Sequence, residues 1–221
     1  MARLSARMLY GDAVEDDMAA PARAPSGSMQ TGEFLKFLKF RPKRERWQLI
    51  EGVAVMMNPP TLRHQVIAHN LLYLRKEALE RKALGLLALV ESGVRVPGAT
   101  KFQPRPDVVV IPEIVGDQVY AERFFLVAEM LSPSNTKSLI AQKLRRYKEH
   151  PDNLYCLVID SRRTWMQIHA RSEDWQPVTF EHAGDVIELP EFALRWRLGD
   201  LYRRTPLDPR RSEGKDRPRS R

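Results

Sequence analysis

The sequence predicts a mixed α/β domain, a mixed β-sheet flanked by helices, and three observations predict it. Short β-prone apolar runs recur along the chain: GLLALVESGVRVP, PDVVVIP, FFLVAEML, NLYCLVID, WMQIHAR, PVTFEH and DVIELP. Between the third and fourth of these lies a segment with helical spacing, about Lys137 to His150. Two more helical patterns come earlier, so the order is helix, strands, helix, strands, helix, strands.

The first helix is expected through EFLKFLKF, with Thr31 as its cap and Phe34, Leu35 and Leu38 on one side. WQLIEGVAVMMNPP follows as two short strands, with Gly52 marking a tight turn or bulge and Pro59-Pro60 ending the second. Thr61 then starts a helix to about Arg81, whose apolar stripe is Ile67, Leu71, Leu74 and Ala78. His64 lies three residues before Ile67 and points to the same inward side.

Composition bounds the possibilities. Of 221 residues, 43% are hydrophobic and 29% charged, which suits one globular domain with a real core. Residues 1–28 lack periodicity and are expected to be a disordered extension, the domain spanning 29–202 and a basic disordered tail 203–221. The formal net charge of +8 is unevenly spread: +5 lies in 203–221, −1 in 1–28 and +4 in the remaining 174 residues. The tail suits non-specific attraction to phosphates or simple solvation. There is no apolar run of membrane-spanning length, and the N-terminus turns acidic where a signal peptide needs an apolar stretch. The single cysteine, Cys156, excludes an internal disulfide, and a cytoplasmic location is the expectation. A G-x-S-x-G elbow, a phosphate-cradling glycine loop and a CxxC pair are all missing from the sequence.

Three ionisable residues stand where folding alone would not put them. Asp107 opens the run VVVI, and Glu129 interrupts FFLVAEML, which is otherwise apolar on both faces and so belongs near the sheet centre. Buried charges of this kind are costly unless paired or bound to a cation. Their strands can be neighbours with both carboxylates at one edge, an arrangement that suits a hard divalent ion, Mg²⁺ or Mn²⁺. Lys143 lies on the stripe Ile140, Lys143, Leu144, Tyr147. Either it snorkels to solvent or it reaches the carboxylates, where it would position water or stabilise charge on a phosphate.

RPDVVV, then VAEMLSPSN, then Lys143 and Tyr147, together resemble the Uma family of putative restriction endonucleases, within the PD-(D/E)XK nuclease superfamily. The resemblance runs from about Thr31 to Leu201. It takes in the WQLIEGVAVMMNPP block followed by His64, the segment YCLVID, and the closing GDVIELPEFALRWRLGDL. It implies a restriction-endonuclease-like core and Mg²⁺-dependent hydrolysis of DNA phosphodiester bonds. Asp107 and Glu129 would be the metal ligands, with Lys143 the catalytic lysine carried on the next helix, because Leu131 occupies its more usual place. It also puts a histidine at His64. Where the family shows a glutamate in the entry block this chain has Gln48, and Glu51 could compensate only through a bulge at Gly52. Leu139 stands where an acidic residue often precedes the lysine.

Ser132 is read as a turn or helix cap before a catalytic group, and Tyr147 as a core aromatic or a support for the lysine. Cutting two strands favours a homodimer by analogy. The alternative reading is a catalytically impaired module that binds nucleic acid or serves in assembly, and Gln48 and Leu139 favour it.

Overall fold

The computed structural model describes residues 28–82, 85–131 and 137–213. Outside them lie Ser132, residues 1–27 of the expected N-terminal extension and residues 214–221 of the expected basic tail, and of Ala78 only the backbone is described. The chain opens with α1 (Thr31–Lys39), β1 (Trp47–Ile50), β2 (Val53–Met56) and α2 (Leu62–Lys82). Then come β3 (Leu86–Val90), β4 (Gly93–Val94), β5 (Val108–Pro112), β6 (Tyr120–Ala121) and β7 (Leu126–Leu131). After α3 (Lys137–Glu149) follow β8 (Tyr155–Asp160), β9 (Met166–Ala170), β10 (Pro177–Phe180), β11 (Val186–Leu189), β12 (Leu194–Arg197) and α4 (Arg210–Glu213).

Six strands form the central sheet in the order β10-β9-β8-β7-β5-β3. Only β7 and β8 run parallel, because α3 connects them as a crossover; the other neighbours are antiparallel. The sheet is therefore mixed, and β7, with all six residues buried, lies inside it as its continuous apolar character predicts.

Alternation along the strands separates two cores. Val108, Val110, Ala128, Met130, Leu157 and Ile159 pack beneath α2, joined by Ile67, Leu71 and the β11–β12 residue Trp196. Val109, Ile111, Val127, Leu131, Cys156 and Val158 face the other way, toward Ile140, Leu144 and Tyr147 of α3 and toward Ile50 and Val55 of the β1–β2 hairpin. Each fully buried aliphatic side chain in these layers contributes about 1.5–3 kcal/mol. A third, smaller cluster fastens α1 to the hairpin through Phe34, Trp47 and Leu49, with Phe37 edge-on to Trp47 at 5.0 Å.

Two boundaries differ from expectation. The α1 cap is Gln30, whose backbone N–H donates to Glu33 at 2.7 Å; Thr31 is the first helical residue, and its hydroxyl donates to the Thr100 carbonyl instead. Near the C-terminus, packing continues past residue 202: Thr205 is buried, donates to the Tyr202 carbonyl at 2.7 Å, and Leu207 packs on the α2-side core. Short polar segments hide such contacts, because their few apolar groups carry no periodicity.

Thr61 does cap α2, accepting the backbone N–H of His64 at 3.2 Å. The β1–β2 turn has two residues, Glu51 and Gly52, with φ of 47° and 80°, the mirror-image turn that matches strand twist. A Cβ on Gly52 would lie 2.8 Å from Ser28 Oγ and 3.1 Å from Ser28 Cα. Gly52→Ala should therefore lower stability by about 1–3 kcal/mol, read by urea denaturation, since strain and overlap act together.

Candidate active site

Asp107 and Glu129 come together through strand register. Val108 pairs with Ala128 across the antiparallel β5–β7 ladder, so one further step places Asp107 opposite Glu129. Alternation from Val109 and Val127 puts both acids on the α3 side of the sheet. Both are buried, Glu129 to 1% exposure.

Lys143 arrives from α3 and does not snorkel. Its side chain is 1% exposed, and Nζ donates to Glu129 Oε1 at 3.0 Å and Oε2 at 2.9 Å. One helical turn later the Tyr147 hydroxyl donates to Glu129 Oε1 at 2.7 Å. The tyrosine thus fixes the carboxylate rather than the lysine that the sequence suggested. Edge-on contacts with Phe102 and Phe124 hold its ring.

Asp107 is held from two other elements. Its Oδ2 accepts the backbone N–H of Met130 at 2.6 Å, and its Oδ1 lies 3.1 Å from His64 Nε2. His64 is buried in the first turn of α2, on the inward side that its spacing indicates. A histidine from one layer, an acid from the sheet and a lysine from the other layer therefore meet at one sheet edge.

The electrostatics follow from burial. Desolvation pushes the Glu129 carboxyl upward and the charge of Asp107 adds to this, while Lys143 and the Tyr147 hydroxyl oppose it; the net direction is up. Burial alone would lower His64, but its hydrogen bond with Asp107 and the charges of Asp107 and Glu129 raise it overall. Tyr147 is raised well above its ordinary value, by burial first and by Glu129 second, so it remains a donor.

Gln48 joins this side of the fold. It is 4% exposed, and alternation with Ile50 and Val55 directs it toward the α3-side core. Its Oε1 is buried without a hydrogen-bond partner. Glu51 does not join. It occupies the turn, where its carboxylate takes Arg146 Nε at 2.7 Å, Arg146 Nη2 at 2.9 Å and Arg145 Nη2 at 3.3 Å, contacts that lower its pKa. No bulge turns it inward, because the two-residue turn keeps β1 and β2 in register.

Among the described residues no three His, Cys, Asp or Glu side chains gather into a ready metal cage. The two carboxylates are hard oxygen donors, and Gln48, on the same side of the fold, has a buried amide oxygen without a hydrogen-bond partner. Sequence reasoning passed over two partners at this edge. The Met130 N–H carries no sequence signal, since every residue but proline has one. Asp160 did carry one, as an acid closing the apolar run LYCLVI.

The sequence profile of Uma2, described as putative restriction endonucleases, matches residues 32–200. The chain belongs to the Uma2 family. A crystal structure of a putative nuclease of DUF820 from Anabaena variabilis shares the fold of this Uma2 chain, with a TM-score of 0.64 at 16% identity over 79% of this chain and 97% of that one. No curated protein matches the chain in sequence. Among the described residues no helix is long and apolar enough to cross a membrane.

Two measurements test the electrostatics of this Uma2 site. Removing one member of a buried ion pair strands the other, so Glu129→Ala should cost about 3–5 kcal/mol in urea denaturation. Lys143→Met combined with Glu129→Gln should recover most of that loss, whereas equal losses in both would show that the pairing does not govern stability. The second test concerns His64, whose folded pKa is raised above 6.5. Its pairing contributes fully below its ordinary pKa and is lost as pH rises through the elevated value. The melting-temperature gap between the parent and His64→Gln should therefore be larger near about pH 5.5 than near about pH 8.5.

Proposed function

We propose that this protein is a divalent-metal endonuclease that hydrolyses DNA phosphodiester bonds at the site formed by Asp107, Glu129 and Lys143. The observation that carries this reading is the buried Lys143–Glu129 pair, with Asp107 one strand away. A buried ion pair is weak support for stability. Hydrophobic residues would fill this position at lower cost, so a chemical role accounts for its charge. Membership of a family described as putative restriction endonucleases supports the same reading.

The residues fit Mg²⁺ or Mn²⁺. Asp107 and Glu129 would supply carboxylate oxygens, and Gln48 Oε1, buried and unpartnered, would supply a neutral one. When bound, such an ion polarises a phosphoryl oxygen and lowers the pKa of its water. The protein's own groups do the rest. Lys143 brings a positive charge to the scissile phosphate and stabilises the additional negative charge that develops there. Tyr147 keeps Glu129 oriented. His64, raised in pKa and hydrogen-bonded to Asp107, fixes that carboxylate and can hold a proton at Nε2 beside it. Cleavage of both strands of a duplex would use two copies related by a two-fold axis, so the reading includes a homodimer.

Three observations favour a second reading. Gln48 offers a neutral amide where the family resemblance implies a glutamate, Leu139 packs against the α3-side core, and Glu51 is committed to two arginines. Weaker metal binding would follow, leaving a nuclease-fold module that binds nucleic acid without cutting it.

Supercoiled plasmid incubated with purified protein and Mn²⁺ or Mg²⁺ separates the two. The parent should nick it, EDTA should stop the reaction, and Asp107→Asn and Lys143→Met should each slow it roughly 100-fold or more. Lys143→Met leaves Glu129 able to take up a proton, which keeps the variant foldable. Equal cleavage by all three proteins would trace the activity to a contaminant and end the proposal. Absent cleavage, with no calorimetric Mn²⁺ binding by the parent, would establish the second reading.

A further inference from the structure

The sheet edge that presents the two acids carries unequal charge compared with the edge opposite. Register places Val90 opposite Val108, Val108 opposite Ala128, and Leu131 opposite Asp160. The ends of β3, β7 and β8 therefore lie beside the start of β5, along one line crossing the strands. Four adjacent strands at their usual spacing span about 14 Å.

At the β3 end of that line is a pocket of 620 Å³ between the end of α1 and the start of β5. Lys39, Arg41, Lys43, Arg46 and Arg105 line it. Its two acids are already engaged: Glu45 accepts the Trp47 indole N–H at 2.8 Å, and Glu91 pairs with Arg46. The pocket adjoins the candidate active site through the backbone, since the Glu91 N–H donates to the Asp107 carbonyl at 3.0 Å. Arg105 stands two residues before Asp107, its guanidinium 5.6 Å above the Tyr120 ring.

At the β8 end, Asp160 is buried and accepts the Arg162 backbone N–H at 2.8 Å and Arg163 Nε at 3.2 Å. The Ser161 hydroxyl ties this turn to the Leu131 carbonyl at the end of β7, at 2.9 Å. The Arg163 guanidinium lies 5.2 Å above Trp165, and both arginine side chains remain 59% exposed. A buried carboxylate thus orients guanidinium groups whose remaining N–H donors face outward.

The opposite edge differs. There Arg123, just before β7, pairs with Asp152, just before β8, at 2.8 Å, one cation to one anion.

We infer that the acid-bearing edge is a track for the phosphate backbone of duplex DNA, entering at the Arg41–Lys43–Arg105 pocket, passing the strand ends beside the buried Asp107 and Glu129, and leaving over Arg162 and Arg163. The inference rests on the phosphodiester reading and adds the surface that holds the substrate. Cations flanking two acids also answer an electrostatic problem, since the carboxylates alone would repel the polyanion they act on. Backbone contacts position a nucleic acid without reading its sequence, so the track takes duplex DNA of any sequence, with an RNA duplex as the comparison in the test.

The test measures binding apart from cleavage. Fluorescence anisotropy of the full chain with labelled DNA and RNA duplexes of about 20 base pairs, in EDTA, is followed between about 50 and 200 mM KCl. The paired changes Arg41→Ala with Lys43→Ala, and Arg162→Ala with Arg163→Ala, should each weaken binding about 10-fold at low salt and reduce the log–log salt slope by about 1–2. Arg123→Ala should bind like the parent, and melting curves check that each variant is folded. A parent that does not bind the DNA duplex, whether or not it binds the RNA one, or a loss confined to one pair of arginine-and-lysine changes or to neither, overturns the track. If binding and slopes behave as expected while the plasmid stays intact, the track stands and the endonuclease reading alone falls.

Discussion

Two oxygens of Glu129 facing one ammonium, sealed between a β-sheet and a helix, set the terms for everything around them. Taking both charges out of water costs several kcal/mol per ion before their attraction is counted. The pair persists because its hydrogen bonds are made on both sides, two from Lys143 and one from Tyr147. That requirement fixes the distance of α3 from β7, and the aromatic contacts of Phe102 and Phe124 with Tyr147 hold the helix there. Function and packing are thus coupled: the apolar layer that orients α3 is the same one that aims the lysine.

The second acid is supported differently. Asp107 stands just before β5, and its oxygens face a backbone N–H on one neighbour and an imidazole on another. Glu129 is thereby an anion held by a charge, while Asp107 is an anion held largely by hydrogen bonds. Burial pushes the glutamate upward, and at His64 the hydrogen bond with Asp107 and the charges of Asp107 and Glu129 together outweigh burial and draw the imidazole toward its protonated form. Under the proposed endonuclease reading, the two carboxylates in unlike environments and the lysine tied to one of them would be in place before the substrate arrived.

The entry hairpin contributes to this side of the fold unevenly. Gln48 is directed toward the α3-side core with its amide oxygen buried and unpartnered. Its neighbour Glu51 is turned away, because a two-residue turn points it at Arg145 and Arg146.

Much of this was legible in the residues themselves. An acid inside FFLVAEML announces a buried charge, the 3.6-residue stripe through Ile140 and Tyr147 turns Lys143 inward, and Thr61 followed by His64 places an imidazole in a first helical turn. Periodicity and burial cost are local properties of the chain, so the sequence by itself determined most of the elements, the mixed α/β class and the burial of the acids and the lysine. Tertiary structure decided the rest. Whether Lys143 reached Glu129 or solvent depended on the crossover that seats α3 against β7. The placement of Asp107 opposite Glu129 depended on a register set between strands. The role of Tyr147, the commitment of Glu51 and the burial of Thr205 likewise arise from groups distant in the chain, and hydrogen bonds between such groups leave no pattern in a linear sequence.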